Sequence, residues 1–116
     1  MKKLLFTLLL IIPFIGFGQV INNTVWKTID DKGDQRIIMF KVDGTFIYQY
    51  KYTNGTIQIF GDEDDTWTID GNKLVLSFND GFAIMSGEIN SRGDYISGFR
   101  INKKGTSLRW TGTLID

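Results

Sequence analysis

The sequence predicts an all-β protein, a single up-and-down antiparallel β-barrel of eight or nine short strands joined by tight hairpins. Three observations carry this. Short runs rich in β-branched and aromatic residues recur at regular intervals after residue 20. Turn pairs such as Asp43-Gly44 and Asn54-Gly55 separate them. No later stretch keeps a helical period for three turns. A meander of this many strands has two exposed edges unless it closes, and closure removes both. A two-sheet sandwich is the alternative architecture.

The N-terminus comes first. Lys2 and Lys3 precede an apolar run from Leu4 to Ile15, broken by Thr7 and Pro13, and Gly16-Phe17-Gly18 sets small residues before a cut ahead of Gln19. Residues 1–18 therefore read as a secretory signal peptide and 19–116 as the barrel domain, secreted or periplasmic. The run is shorter than the about 20 residues a spanning helix needs. The chain has no Cys, so it offers no thiol for a lipid anchor or a disulfide. The mature form is expected without a membrane anchor, held together by an aromatic core. Removing residues 1–18 leaves 98 residues, one small domain. Its charge is eleven basic against thirteen acidic residues, or −2. No basic stripe suits a phosphate backbone, so nucleic acid is not an expected partner.

The runs lie at 24–29, 36–42, 45–53, 56–60, 65–69, 73–78, 82–90, 95–101 and 106–114. In 45–53, Phe46, Tyr48, Tyr50 and Tyr52 share one phase, expected to point inward. A two-residue loop at Asn54-Gly55 pairs Tyr52 with Ile57 and Tyr50 with Ile59. At Asp43-Gly44 a three-residue loop with Gly44 at a bulge pairs Phe40 with Phe46 and Ile38 with Tyr48, which matches apolar faces. Across Gly71-Asn72, Ile69 meets Leu74 and Trp67 meets Leu76. A four-residue turn at 102–105 pairs Phe99 with Leu108 and Ser97 with Trp110. Run 82–90 stays open: either Phe82, Ile84, Ser86 and Glu88 face inward, or Ala83, Met85, Gly87 and Ile89 do.

Several motifs carry a resemblance. They are Trp26 in the first strand, Phe40-Lys41-Val42-Asp43-Gly44-Thr45-Phe46, Trp67 with Asp70-Gly71-Asn72-Lys73-Leu74, Ile96-Ser97-Gly98, and Leu108-Arg109-Trp110. Over roughly 24–114 the chain resembles the short lipocalin-like domains of exported bacterial proteins, and more loosely avidin-type barrels. The resemblance implies that Trp26 packs near one barrel end beside a basic residue of the last strand, here Arg109. Thr24 stands where the family has Gly, and the chain lacks a C-terminal helix.

With no His and no Cys, Ser-His triads, thiol nucleophiles and His or thiolate metal sites are excluded. The acids sit mostly in turns, so no enzyme is expected, and no cofactor or metal is called for. Gly61-Asp62-Glu63-Asp64-Asp65 reads as a solvated acidic tip rather than a Ca²⁺ loop, since the EF-hand spacing is missing. Arg92-Gly93-Asp94 reads as turn chemistry, not as an adhesion signal. The expected function is non-catalytic binding of a small hydrophobic ligand in or at the mouth of the barrel. Its candidate residues are Phe46, Tyr48, Tyr50, Trp67, Trp110 and, if inward, Glu88. The alternative is a protein-interaction module, an inhibitor or envelope accessory protein, that uses the loop end of a filled barrel.

Overall fold

Turn chemistry divides the chain into nine strands. The computed structural model describes residues 21–116, so the signal peptide expected at 1–18 lies outside the described residues. The strands are β1 (Val25–Asp30), β2 (Gln35–Phe40), β3 (Phe46–Lys51), β4 (Ile57–Phe60), β5 (Thr66–Asp70), β6 (Lys73–Phe78), β7 (Ala83–Ile89), β8 (Tyr95–Asn102) and β9 (Ser107–Leu114). They form one curled antiparallel sheet in the order β4-β3-β2-β1-β9-β8-β7-β6-β5.

Strict alternation of nine strands would leave β1 and β9 parallel, yet they pair antiparallel. The parity is restored between β4 and β5. Both run antiparallel to β3, β4 through Tyr48–Lys51 and β5 through the bridge Thr45↔Thr66. They therefore occupy one lane, interrupted by the 61–65 loop, and the sheet curls as eight lanes. Two backbone bonds hold the closure, Trp67 N–H to the Gly44 carbonyl at 2.9 Å and Phe46 N–H to the Asp65 carbonyl at 3.2 Å. Gly61 lets the lane pass close to β3, because a methyl there would sit 2.4 Å from Ile47 Cγ2.

One five-residue turn recurs. At 30–34, 41–45, 52–56 and 102–106 the first N–H bonds the fifth carbonyl, and the fourth N–H bonds the first carbonyl. The fourth residue is Gly at φ between 81° and 88° in all four. This is a type I turn closed by a glycine bulge. It gives the expected register at Phe40↔Phe46 and Ile38↔Tyr48. The register across Gly71-Asn72 also stands, with Ile69↔Leu74 and Trp67↔Leu76.

Two hairpins differ from expectation by one residue. The turn at 52–56 pairs Lys51 with Ile57 and Tyr48 with Phe60, so Ile57 and Ile59 face outward and are exposed. Phe60 instead comes inward and stacks on Tyr48 at 5.1 Å between ring centroids. The turn at 102–106 pairs Phe99 with Arg109 and Gly98 with Trp110. Burial of Ile96 and Trp110 fixes that phase, which puts Phe99 outside and Arg100 inside. In β7, Ala83, Met85 and Ile89 are the buried residues, so Glu88 faces out.

The core fills the interior on one phase of every lane: Trp26, Ile38, Phe40, Phe46, Trp67, Leu74, Leu76, Phe78, Met85, Ile96 and Trp110 are buried. Edge-to-face pairs tie it together, Phe40 with Trp67 at 5.5 Å and Phe46 with Phe78 at 4.9 Å. Each indole N–H finds an acceptor: Thr24 Oγ1 for Trp26 at 2.9 Å, the Lys41 carbonyl for Trp67 at 3.0 Å, and the Phe99 carbonyl for Trp110 at 3.0 Å. Buried Trp residues need such partners.

Candidate functional site

The alternation of strand directions sorts the two ends of the curled sheet. One end collects the 41–45, 71–72 and 90–94 turns and the start of β1. Its inward residues are Trp26, Phe40, Phe46, Leu74, Ile89 and Ile96, all buried and apolar. The other end collects the 31–34, 52–56, 79–82 and 103–106 turns. Its inward residues include Asp30, Arg36, Tyr50, Arg100 and Asn102, polar side chains that are at most half-exposed. The interior thus has a packed apolar end and a polar mouth.

The carboxylates at the mouth are partly committed to the turn. Asp30 is buried, and its Oδ1 accepts the Lys32 N–H at 2.9 Å and the Asp34 N–H at 3.0 Å. Asp34 Oδ1 accepts the Tyr50 hydroxyl at 3.2 Å. Burial, then the Asp34 charge and this bond, push the Tyr50 hydroxyl above its ordinary pKa. Burial does the same to Tyr48, helped by Asp65.

The two arginines are less well served. Arg36 lies across from Tyr50, its guanidinium carbon 5.0 Å from the ring centroid. Arg100 Nε is buried without a hydrogen-bond partner, and Asp30 Oδ2 is the other such atom among the described residues. Burial, then the nearby Arg36 charge, lower the Arg100 pKa, while Asp30, Tyr48 and Asp34 pull it back up.

A groove of about 610 Å³ lies on the outer face, over β6 to β9. Two outward cross-strand rows line it, Val75–Ser86–Phe99–Arg109 and Lys73–Glu88–Ser97–Thr111. Between them runs the inward row Leu74–Gly87–Gly98–Trp110. The small Ser86 and Ser97 keep the centre low. Phe99 is exposed, with the Arg109 guanidinium 6.0 Å from its ring centroid.

The predicted residues therefore separate. Phe46, Trp67 and Trp110 belong to the packed core, and Tyr48 and Tyr50 stand half-buried toward the mouth. Glu88 lines the outer groove, as does Arg109. Trp26 is not beside Arg109: it pairs with Leu114, five residues further along β9, and points inward where Arg109 points out. The acids of 61–65 serve the backbone, with Asp62 Oδ1 accepting the Asp64 N–H and Asp65 Oδ1 the Asn79 N–H.

Comparison with known proteins agrees with this architecture. The family model described as Lipocalin-like domain matches residues 17–98. The chain belongs to the lipocalin-like family. Among solved structures it is similar to a redesigned β barrel, at 12% identity and a TM-score of 0.53, covering 85% of this chain and 95% of that one. That likeness shows the fold alone. A search of curated proteins found no match.

In this lipocalin-like barrel, sequence reasoning missed Asp30, Arg36 and Arg100 as mouth residues. The signal for Arg36 was present. It shares the phase of Ile38 and Phe40, whose apolar alternation aims the strand inward. Arg100 was hidden by the one-residue slip at 102–106, which moves every β8 side chain to the opposite face.

Proposed function

We propose that this protein is an exported, non-catalytic lipocalin-like domain that binds a small hydrophobic ligand at the mouth of its barrel. The observation that carries the reading is the split interior. The Trp26 end is filled by buried apolar side chains, and the opposite end offers the half-buried Tyr48, Tyr50 and Phe60 rings beside inward polar groups. Apolar walls with a few placed polar groups suit a small ligand. Family membership supports the same reading. Export rests on the leader-like residues 1–18, and N-terminal sequencing of secreted material tests it: the mature chain should begin at Gln19. The lack of His and Cys supports a non-catalytic role. Native mass spectrometry of purified protein should find a bound lipid or small apolar molecule. Repeated absence of one, with no thermal stabilisation by apolar probes, overturns the reading.

A protein-interaction role is the second reading, and the outer groove favours it. Phe99 is exposed in the groove, and the paired Ile84 and Ile101 are exposed beside it. Filling it with Ser97→Trp should abolish capture of a protein partner while leaving uptake of an apolar probe unchanged. Loss of probe binding instead would place the ligand in the groove.

A further inference from the structure

We propose that Arg36 and Arg100 form an anion site at the mouth that takes the oxyanion headgroup of an acidic amphiphile, with its apolar tail lying on the aromatic wall. The inference rests on the ligand-binding reading above and names the ligand class.

The argument begins with direction. Arg36 on β2 and Arg100 on β8 both sit on the inward phase, and both strands bring them to the mouth end. Inward charges in a small barrel are costly unless paired. Neither arginine has an ion pair, since the ion pair found among the described residues joins Arg92 and Asp94 on a distant hairpin at 3.9 Å. Arg100 Nε is buried and unpartnered. Such a donor retains its full desolvation penalty until something accepts from it.

The carboxylates present do not meet this need. Asp30 spends Oδ1 on two backbone N–H groups of its own hairpin, and Asp34 accepts from Tyr50. Both lie within electrostatic range of Arg100, as do Tyr48 and Arg36. Two guanidiniums without direct partners, on the inward phase at one end of the barrel, carry the charge and the donors that a carboxylate or phosphate accepts. Asp30 Oδ2, also buried and unpartnered, opposes that anion. It limits the affinity and so supplies a second test. The wall beside the arginines is aromatic. Arg36 lies over Tyr50, and Tyr48 stacks on Phe60. These rings suit an alkyl tail, not a bare ion.

Calorimetric titration of the purified full chain with decanoate, decyl phosphate, decanol and inorganic phosphate tests the proposal. The acids should bind about tenfold or more tightly than decanol, the worth of one charge-assisted hydrogen bond. Arg100→Met and Arg36→Met should each remove about that factor for the acids and leave decanol within about twofold. Arg100→Lys should restore part of it. Asp30→Asn should tighten acid binding. High salt should weaken the acids only. If acids and decanol bind alike and the arginine variants change nothing, the anion site is overturned while the binding reading stands. Absence of binding by acid and alcohol together overturns the binding reading itself. Inorganic phosphate binding as tightly as decyl phosphate overturns the amphiphile assignment. Should Arg100→Met fail to fold, the Arg36→Met, Arg100→Lys and salt results decide.

Discussion

Gly98→Ala is the sharpest test of how the sheet curls. Gly98 pairs with Gly87 on β7 and with Trp110 on β9. A methyl at Gly98 would lie 1.7 Å from the Ser86 carbonyl oxygen, 2.5 Å from Gly87 Cα and 2.7 Å from the Ser86 carbonyl carbon. All three are backbone atoms, so no side chain can swing away. A carbon–oxygen contact needs about 3.3 Å, which asks β7 and β8 to part by about 1.6 Å. Ladder bonds stretched that far are lost. Two or three such bonds, with the displaced Trp110 indole, amount to roughly 3–5 kcal/mol. Gly87→Ala meets softer neighbours, Ile96 Cγ2 at 2.8 Å and Trp110 Cζ2 at 3.0 Å, with the Ser97 carbonyl at 2.9 Å. It should cost about 1–2 kcal/mol. Gly55→Ala meets nothing within 4 Å and pays only for its φ of 88°, about 1 kcal/mol. Urea unfolding followed by fluorescence of the three Trp residues measures all of these. If Gly98→Ala loses no more stability than Gly55→Ala, the close approach of β7 and β8 is wrong and so is the account of the curl.

Three further outcomes are expected. Phe60→Ala should cost about 1.5–3 kcal/mol, while the exposed Ile59→Ser stays within about 0.5 kcal/mol; thermal melts that reverse this order would restore the Tyr50–Ile59 register. The Thr45 hydroxyl and N–H hold the Asp43 carboxyl below its ordinary value, so the folded state favours the ionised form. Its contribution is present above the unfolded pKa of about 3.9 and fades as pH falls through the lower folded value; the gap in melting temperature between wild type and Asp43→Asn should close there. Tyr48 and Tyr50 are pushed up by burial, so the stability they carry holds below about pH 10 and is lost as pH rises through their folded values. Ultraviolet titration should find Tyr50 ionising earlier in Asp34→Asn; an unchanged Tyr50 would break the assigned hydrogen bond.

The hairpin registers reveal what the sequence makes legible. The turn at 41–45 was readable because only one loop length set Phe40 against Phe46. At 52–56 and 102–106 both phases carry apolar residues, Ile57 and Ile59 against Phe60, and Phe99 and Ile101 against Ile96. Matching apolar faces could not choose between the registers there. A local cue was nevertheless present. Gly is followed by Thr in all three turns, at Gly44-Thr45, Gly55-Thr56 and Gly105-Thr106. In each, an Asp or Asn side chain accepts the N–H of that Thr: Asp43 for Thr45, Asn54 for Thr56 and Asn102 for Thr106. The bulge rule that fixed the first turn, applied to the other two, gives the observed pairing. Glu88 differs, because β7 alternates small and large residues on one phase and runs from apolar Ile84 to polar Ser86 and Glu88 on the other. The burial of Ala83, Met85 and Ile89, with Trp110 and Ile96 packed close to Gly87, decides its face.

The mouth was illegible for a topological reason. Nine strands read as simple alternation place the ends of β1 and β8 at opposite ends of a barrel. Asp30 and Arg100 then never meet. The merger of β4 and β5 into one lane reverses the direction of every later strand, and the antiparallel β1–β9 pair is its consequence. That merger depends on the 61–65 loop, where Gly61 clears Ile47 and the buried Asp65 accepts from Asn79. What the sequence displays there is a run of four acids that resembles an exposed tip. Its structural work is done by Asp65, which is 3% exposed. Asp65 thus acts at a distance, since the loop it anchors sets the parity that brings Arg100 on β8 to the end where Arg36 and the tyrosines already lie.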